Sequence, residues 1–272
     1  MGTLYLVATP IGNLEDISAR ALKILHQVRL IAAEDTRVTK KLLAHYQIHT
    51  RQVSYFEHNK LRRLDQILNE LTSGDVALVS DAGTPGLNDP GYELVRAAVQ
   101  SGHPVSAVPG PASPVAALVT SGLPTDAFLY LGYVPRKASE RRAALGRVAD
   151  VPYTLVFLEA PHRLLATLAD MQAAFGDRPA AIARELTKLH EEIWRGNLSG
   201  ARRHFDRPRG EFVLVVGGRQ KTEHTQWTQA QVLAAVRRRL AGGEAPTLVA
   251  AELAAESGWT RRDIYKLAST NG

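Results

Sequence analysis

Short apolar runs alternate with longer stretches of helical spacing over the first 120 residues of the chain. The apolar runs have the length and near-continuous hydrophobicity of strands in a buried parallel sheet. They are Leu4 to Ala8, Leu30 to Ala33, Gln52 to Tyr55, Val76 to Ser80 and Pro104 to Val108. Between them, apolar side chains recur every three or four residues, as in Ile17 to Leu25 and Leu61 to Leu71. This pattern predicts an α/β domain, residues 1–119, with a largely parallel sheet.

The pattern changes after Gly122, where the strand-like segments become longer. They cover residues 128–133, 153–159, 180–184, 191–195 and 211–216, with helical spacing near 138–148 and 161–174. We therefore predict a second α/β or α+β domain over residues 120–218, followed by a polar linker, Gly217 to Thr225.

A small helical tail is predicted over residues 226–272. Its helices are Gln229 to Leu240, Pro246 to Glu256 and Thr260 to Leu267. The last two flank a turn at Gly258, which is a helix-turn-helix-like pattern. Such a motif either contacts nucleic acid or is a packing unit, and the sequence leaves both open.

The basic side chains of the chain are concentrated in patches. The 272 residues include 33 basic and 27 acidic side chains, a formal net charge of +6. Residues 136–147 and 195–209 each have five basic side chains and one acidic side chain, and residues 219–272 have eight and five. From charge alone, these patches are either a solvated surface or a footprint for the phosphates of a nucleic acid.

Composition excludes several classes of site. With no cysteine, the chain has no disulfides, thiolate zinc sites, iron–sulfur clusters or cysteine nucleophiles. The histidines show no paired ligand spacing, so we expect no metal. No apolar run reaches the roughly 20 residues that span a bilayer, and the first residues lack the pattern of a signal peptide. We expect a soluble cytoplasmic protein with no membrane segment.

Three loops rich in glycine and proline follow predicted strands, at the edge where open parallel sheets bind ligands. They are residues 8–14, 80–91 and 109–113. The dinucleotide fingerprint is absent, and Tyr92 and Glu93 follow Gly91 where a phosphate-binding P-loop requires Lys and Ser or Thr. Asp81 can accept hydrogen bonds from a ribose or amino group, or it can cap a turn. Together the loops predict a pocket for an elongated small molecule.

Charged side chains follow other strands at the same edge. Glu34, Asp35 and Arg37 follow the second predicted strand, and His58 follows the third. They form either an ion pair at a helix N-terminus or part of a substrate site. In the second domain, residues 159–163 and 184–188 add further charged side chains.

Seven segments in this order resemble the tetrapyrrole-methylase-like methyltransferases. Within that family they are most similar to the bacterial enzymes that methylate the 2′-hydroxyl of a decoding-centre cytidine in small-subunit (16S) ribosomal RNA. The segments are residues 4–14, 33–37, 58–59, 79–91, 109–111, 159–163 and 184–188. The resemblance spans about residues 4–218. Ala112 and Ser113 stand in the reverse of the family's usual order, and Asn88 stands where the family has Ser; both departures are mild.

The resemblance implies two α/β domains with a cleft between them that binds S-adenosylmethionine, and a homodimer. It also implies the residues that contact the cofactor. In the first domain these are Pro10, Asp81, Ala82, Gly83, Thr84, Ala112 and Ser113. Leu158 and Ala183 are weaker candidates in the second domain. Loops rich in glycine suit this role because the backbone can approach the ligand closely.

Methyl transfer to a ribose hydroxyl needs an oriented oxygen and a group that accepts its proton or stabilises the alkoxide. The candidate bases are Glu34, Asp35, His58 and Glu185, and the candidate electrostatic stabilisers are Arg37, Arg184 and Lys188. We place Asp35 and Arg37 first because both follow a strand at the edge that carries the cofactor loops.

The expected partner is 16S ribosomal RNA in the 30S subunit, with the target nucleotide single-stranded or splayed out. The three basic regions would then bind RNA phosphates around the cleft. A tetrapyrrole or another small molecule is the alternative substrate within this fold, but it predicts an apolar trough without basic patches. A non-catalytic ribosome-binding protein would leave the three loops unexplained.

Overall fold

The computed structural model describes residues 1–220 and 227–270. The chain divides into two compact units, Met1–Arg219 and Gln220–Gly272. The first unit contains two five-stranded sheets. The boundary at residue 119 stays a prediction, and the predicted start of the tail at residue 226 lies outside the described residues.

The first sheet is parallel throughout. Its strands are β1 (Leu4–Val7), β2 (Leu30–Ala33), β3 (Gln52–Ser54), β4 (Val76–Val79) and β5 (Val105–Val108), in the order β3-β2-β4-β1-β5. Because all five run in one direction, their carboxyl ends meet at a single edge of the sheet.

Helices cover both faces of this sheet. They are α1 (Ala19–Gln27), α2 (Thr36–His45), α3 (Lys60–Ser73), α4 (Tyr92–Gln100) and α5 (Ser113–Thr120). Along β2, Ile31 and Ala33 pack into one apolar cluster, and Leu30 and Ala32 pack into the cluster on the other face. Burial on both faces explains why the strands are continuous apolar runs.

The second sheet is mixed. Its strands are β6 (Phe128–Tyr133), β7 (Thr154–Glu159), β8 (Pro179–Arg184), β9 (Glu192–Asn197) and β10 (Phe212–Val216), in the order β6-β7-β10-β8-β9. Only β6 and β7 pair in parallel. The helices α6 (Ala138–Val148), α7 (Leu164–Phe175) and α8 (Leu198–His204) accompany it. The predicted helix near 161–174 is a 3₁₀ turn, Pro161–Arg163, followed by α7.

Helix α5 connects the two sheets. It follows β5 of the first sheet, and its Ala117 and Leu118 pack against Val156 and Val213 of the second. Arg195 donates two hydrogen bonds to the carbonyl of Thr120, the last residue of α5. The loop that precedes α5 is therefore held where the two sheets meet.

The tail has its own core. Its helices are α9 (Gln229–Ala241), α10 (Pro246–Ser257) and α11 (Arg261–Thr270). Val236, Leu253 and Ile264, one from each helix, pack in one cluster. Gly258 turns the chain between α10 and α11 with a φ of 70°. The predicted fold class, α/β with a small C-terminal helical extension, is confirmed by the two sheets with their helices and by helices α9 to α11 of the tail. No helix of the described residues is long and apolar enough to cross a membrane.

Candidate active site

A cavity of about 260 Å³ opens at the carboxyl edge of the parallel sheet. This volume is slightly below the roughly 300–1,000 Å³ that is typical of ligand sites. The first sheet contributes the residues that follow its strands: Ile11, Glu34, 81–84, 87–89 and 112–114. The second sheet contributes Tyr130, Tyr133, Leu158, Ala183, Leu186 and residues 211–213.

Most of the residues expected to contact a cofactor lie together in the lining of this cavity. They are Asp81, Ala82, Gly83, Thr84, Ala112, Ser113, Leu158 and Ala183. Pro10 is not among the lining residues, but its neighbour Ile11 is. The contribution of each residue to ligand binding stays a prediction.

Hydrogen bonds hold the three loops of the first sheet against one another. The backbones of Thr9 and Gly83 exchange two hydrogen bonds, at 2.9 and 3.0 Å. The hydroxyl of Thr84 donates to the carbonyl of Pro111 at 3.2 Å. Gly83 has a φ of 80°, which glycine adopts without steric cost. The polar backbone groups of this edge are therefore pre-positioned.

Asn88 fixes the long loop to the second sheet. Its side-chain oxygen accepts a hydrogen bond from the hydroxyl of Tyr130 at 2.5 Å. Its amide occupies the space where a Cβ on Gly132 would lie. Gly132 has a φ of 60° and lies at an irregularity in the β6–β7 register, and Asn88 itself has a φ of 65°. The neighbouring residue, Asp89, is thereby held at the cavity wall.

Three carboxylates of the first sheet line the cavity: Glu34, Asp81 and Asp89. Desolvation, and then the nearby charge of Glu34, raises the pKa of Asp89 to about 6. Desolvation also raises the pKa values of Glu34 and Asp81. No Lys, Arg or His of the described chain lines this cavity, so the wall is acidic and suits a cationic ligand.

Asp35 and Arg37 lie beside the cavity, outside its lining residues. Asp35 caps α2 by accepting a hydrogen bond from the backbone N–H of Arg37 at 2.8 Å. The Arg37 guanidinium binds the same carboxylate at 2.6 Å and lowers the pKa of Asp35 to about 2. The side chain of Arg37 is 88% exposed. An ion pair at a helix N-terminus was one of the two arrangements that the sequence allowed, and it is the one found in the structure.

Glu185 and Lys188 also lie outside the lining and are joined to it through Glu211. Lys188 Nζ is 3.0 Å from Glu185 Oε1 and 2.8 Å from Glu211 Oε2. A backbone hydrogen bond from Glu211 is the main cause of a lowered pKa of Glu185. Burial disfavours the charge of Lys188, but hydrogen bonds to Glu211 and Glu185 outweigh it and raise the pKa.

The turn that carries these side chains abuts the first loop. Glu185 and Thr187 have positive φ angles, 49° and 66°. Thr187 accepts a hydrogen bond from the backbone of Asn13 at 3.1 Å. A Cβ on Gly12 would lie 2.5 Å from Lys188 Cγ, so only glycine allows this close approach. Arg184, also a candidate, binds Glu192 and the carbonyl of Arg209.

His58 is not brought to the cavity wall. Its ring lies edge-on to Phe56, with ring centroids 6.2 Å apart. The loop that contains it begins α3, and Lys60 at the start of α3 pairs with Glu93 at 2.5 Å.

Sequence reasoning missed several residues of the wall, chiefly Asp89, Tyr130, Tyr133 and Glu211. Asp89 lies in a loop that the glycine and proline pattern had indicated. The two tyrosines lie on an ordinary strand of the second sheet, and nothing in their spacing distinguishes them from core residues.

The chain matches the family model of the tetrapyrrole (corrin/porphyrin) methylases over residues 3–201. It belongs to this family. Among its relatives are proteins named ribosomal RNA small subunit methyltransferase I. The one from Synechocystis is 45% identical over 98% of this chain and 97% of its own length. The one from Pseudomonas aeruginosa is 45% identical over 97% and 95%.

Solved structures share the fold at lower identity. Uroporphyrin III C-methyl transferase from Thermus thermophilus has a TM-score of 0.57 and 22% identity, over 79% of this chain and 97% of that one. The methyltransferase CobJ has a TM-score of 0.61 and 18% identity, over 81% and 97%. The family model ends before β10, so Glu211, Phe212 and Val213 of the cavity lie beyond it.

No group of three or more His, Asp and Glu side chains among residues 1–220 and 227–270 is arranged to hold a metal ion.

Proposed function

We propose that the protein transfers a methyl group from S-adenosylmethionine to 16S ribosomal RNA of the small subunit, at the ribose 2′-oxygen of a decoding-centre cytidine. The observation that carries the proposal is the acidic cavity at the carboxyl edge of the parallel sheet, in a chain 45% identical to relatives named for small-subunit ribosomal RNA methylation. The position and the atom that is methylated come from the sequence resemblance.

The residues of the cavity fit the cofactor. S-adenosylmethionine supplies a methyl group on a cationic sulfonium, and its ammonium group is a second cation. Four carboxylates (Glu34, Asp81, Asp89 and Glu211) and no basic side chain of the described residues line the cavity that would hold that charge. Leu158, Ala183 and Val213 offer an apolar wall for the adenine ring.

The residues of the chain have separate roles in this proposal. Pro10, residues 81–84, Ala112 and Ser113 hold the cofactor with backbone groups and the Asp81 carboxylate. Leu158 and Ala183 pack against it from the second sheet. Because hydrogen bonds already join the loops before any ligand binds, the loops lose little conformational entropy on binding.

Exposed basic side chains are proposed to bind RNA phosphates. Arg37 projects into solvent beside the cavity. In the stretch 136–147, Arg142 is exposed, whereas Arg141 is 6% exposed and bound to Asp170 at 2.6 Å. Only part of that patch is therefore available to a phosphate. On α11 of the tail, Arg261 and Arg262 are exposed.

A cytoplasmic location and a homodimer complete the proposal. The dimer rests on the family resemblance, and the exposed Val115 and Val119 of α5 are apolar residues that a second copy could cover.

The test is transfer of a labelled methyl group from S-adenosylmethionine to four acceptors: 30S subunits from a strain lacking the activity, free 16S RNA, 50S subunits and uroporphyrinogen. We expect label in the 30S subunit or its RNA. Label in uroporphyrinogen alone would favour the small-molecule alternative. Binding of the cofactor without transfer to any RNA would reject the ribosomal assignment.

A further inference from the structure

The carboxylates around the cavity differ in what already occupies their oxygens. Asp81 accepts the backbone N–H of Asp35 at 2.9 Å, and Glu34 accepts the backbone N–H of Asp81 at 3.3 Å. Glu211 is paired with Lys188. Asp89 has no ion pair among the described residues, and the Ser80 hydroxyl, which also donates to the carbonyl of Ala82 at 3.3 Å, is within hydrogen-bonding reach of it.

Asp89 is also held in place by both sheets. It follows Asn88, whose side chain is clamped between Tyr130 and Gly132 of β6. It precedes Pro90 and Gly91, the residue directly before α4. A half-buried carboxylate on a fixed loop, facing a cavity, can meet a reacting group without rearrangement.

We infer that Asp89 accepts the proton of the attacking ribose 2′-hydroxyl during methyl transfer. This inference rests on the proposed function. The O–H bond breaks and its proton passes to the Asp89 carboxylate. The 2′-oxygen bonds to the methyl carbon, and the carbon–sulfur bond breaks with its electron pair going to sulfur, so charge and atoms balance.

The surroundings of Asp89 suit a proton acceptor near neutral pH. The charged groups that face it are the carboxylates of Glu34 and Asp81, and the other titratable groups are the hydroxyls of Tyr130 and Tyr133. Desolvation by the cavity wall and the charge of Glu34 raise the pKa of Asp89 to about 6. A base with this pKa is ionised at physiological pH and more basic than an ordinary carboxylate. Asp35, with its pKa lowered to about 2 by Arg37, is a weaker base.

The experiment is single-turnover methylation of 30S subunits with saturating enzyme and cofactor, from pH 5 to pH 8. The wild-type rate is expected to fall as the pH drops below about 6, because the carboxylate becomes protonated. Asp89→Asn is expected to lower the rate at pH 7.5 by about 100-fold or more and to remove the acid limb. Asp89→Glu is expected to restore part of the rate and the limb. Asp65→Asn, an exposed aspartate on α3, is the matched control.

The affinity for the cofactor distinguishes a role of Asp89 as proton acceptor from a role in binding the cofactor. Because Glu34, Asp81 and Glu211 still line the cavity in Asp89→Asn, and Asn has nearly the same shape as Asp, the dissociation constant of S-adenosylmethionine, measured by calorimetry, is expected to change less than threefold. A variant that binds the cofactor poorly but reacts at the wild-type rate at saturation would overturn the inference. An unchanged rate in Asp89→Asn would also overturn the inference. So would a wild-type rate that stays constant down to pH 5, and this measurement can be made even if Asp89→Asn does not fold. A wild-type enzyme that methylates no RNA would instead reject the proposed function.

Discussion

Each sheet has a carboxylate at the end of a strand that pairs with a nearby arginine, but the two pairs lie in opposite surroundings. In the first sheet, Asp35 follows β2 and binds Arg37, whose side chain is 88% exposed. In the second sheet, Glu159 ends β7 and binds Arg163, with side-chain exposures of 0% and 13%. Glu159 also accepts hydrogen bonds from Ala160 and Thr167.

The difference shows that the two sheets contribute different kinds of residue to the cavity. The second sheet buries the Glu159–Arg163 pair behind the cavity, and it presents Leu158, next to Glu159, as an apolar part of the cavity wall beside the exposed Glu211. The first sheet keeps carboxylates at the cavity and an arginine in solvent. Substitutions in the second sheet should therefore affect stability first, and those in the first sheet should affect ligands first.

The largest effect is expected from breaking the buried pair. Glu159→Ala leaves Arg163 buried without its partner, which costs about 3–5 kcal/mol of unfolding free energy. Calorimetry should show a melting temperature lower by roughly 6–20 °C. Glu140→Ala removes the exposed pair with Lys137 and should leave the melting temperature nearly unchanged. Equal shifts in the two variants would contradict the role of burial.

A smaller effect, on the ligand, is expected from a cavity carboxylate of the first sheet. Asp81→Ala removes a charged hydrogen-bond acceptor, worth about 1.5–3 kcal/mol, so the affinity for S-adenosylmethionine should fall by roughly 10- to 150-fold. The melting temperature without ligand should change much less than in Glu159→Ala. Full affinity in Asp81→Ala would place the cofactor elsewhere.

The contact between the sheets can be tested at Gly132. An alanine there would meet the Asn88 side chain and hold a φ of 60°, which should cost about 1–2 kcal/mol of stability. Because the clamp also positions Asp89, the single-turnover rate should fall as well. Gly146→Ala, where a Cβ meets nothing within 4 Å, is the control. A stable Gly132→Ala variant with full activity would show that the clamp does not position the loop.

The smallest effect is expected at Arg37. Arg37→Ala should leave stability nearly unchanged, because the exposed pair contributes little. It should weaken RNA binding and reduce the slope of log affinity against log salt by about one, as loss of a phosphate contact does. Arg29→Ala is the control, since Arg29 pairs with Glu70 at the opposite edge of the same sheet. A salt slope that changes equally in both variants would remove Arg37 from the RNA contact.

Many of the strands and helices could be predicted from the local spacing of apolar residues. The strand β2 has the bounds that its apolar run predicts, and α3 forms over the stretch whose apolar spacing predicts a helix, because a buried strand and an amphipathic helix have distinct periods. Helix α8 was not predicted, since its seven residues are rich in arginine and indicated only a basic patch. The pairing of β10 between β7 and β8 depends on contacts distant in sequence, which local pattern does not encode.

The site was predictable where loops follow strands and not where distant segments meet. Residues 81–84 share one loop and one sheet edge, so the pattern placed them together. Asp89 reaches the wall only because Asn88 adopts a positive φ and Tyr130, 42 positions away, binds it. The exposure of Asp35 and Arg37, which separates an ion pair from a cavity residue, is likewise a property of the packed structure.

The most direct test of the account is the chemical position of the methyl group. The 30S subunits would be methylated with a deuterium-labelled methyl donor, digested to nucleosides and analysed by mass spectrometry. Transfer to a ribose 2′-oxygen predicts label in a single cytidine, on the ribose fragment, with an unlabelled base. Label on the base fragment, or in another nucleoside, would contradict transfer to a ribose oxygen at this cavity.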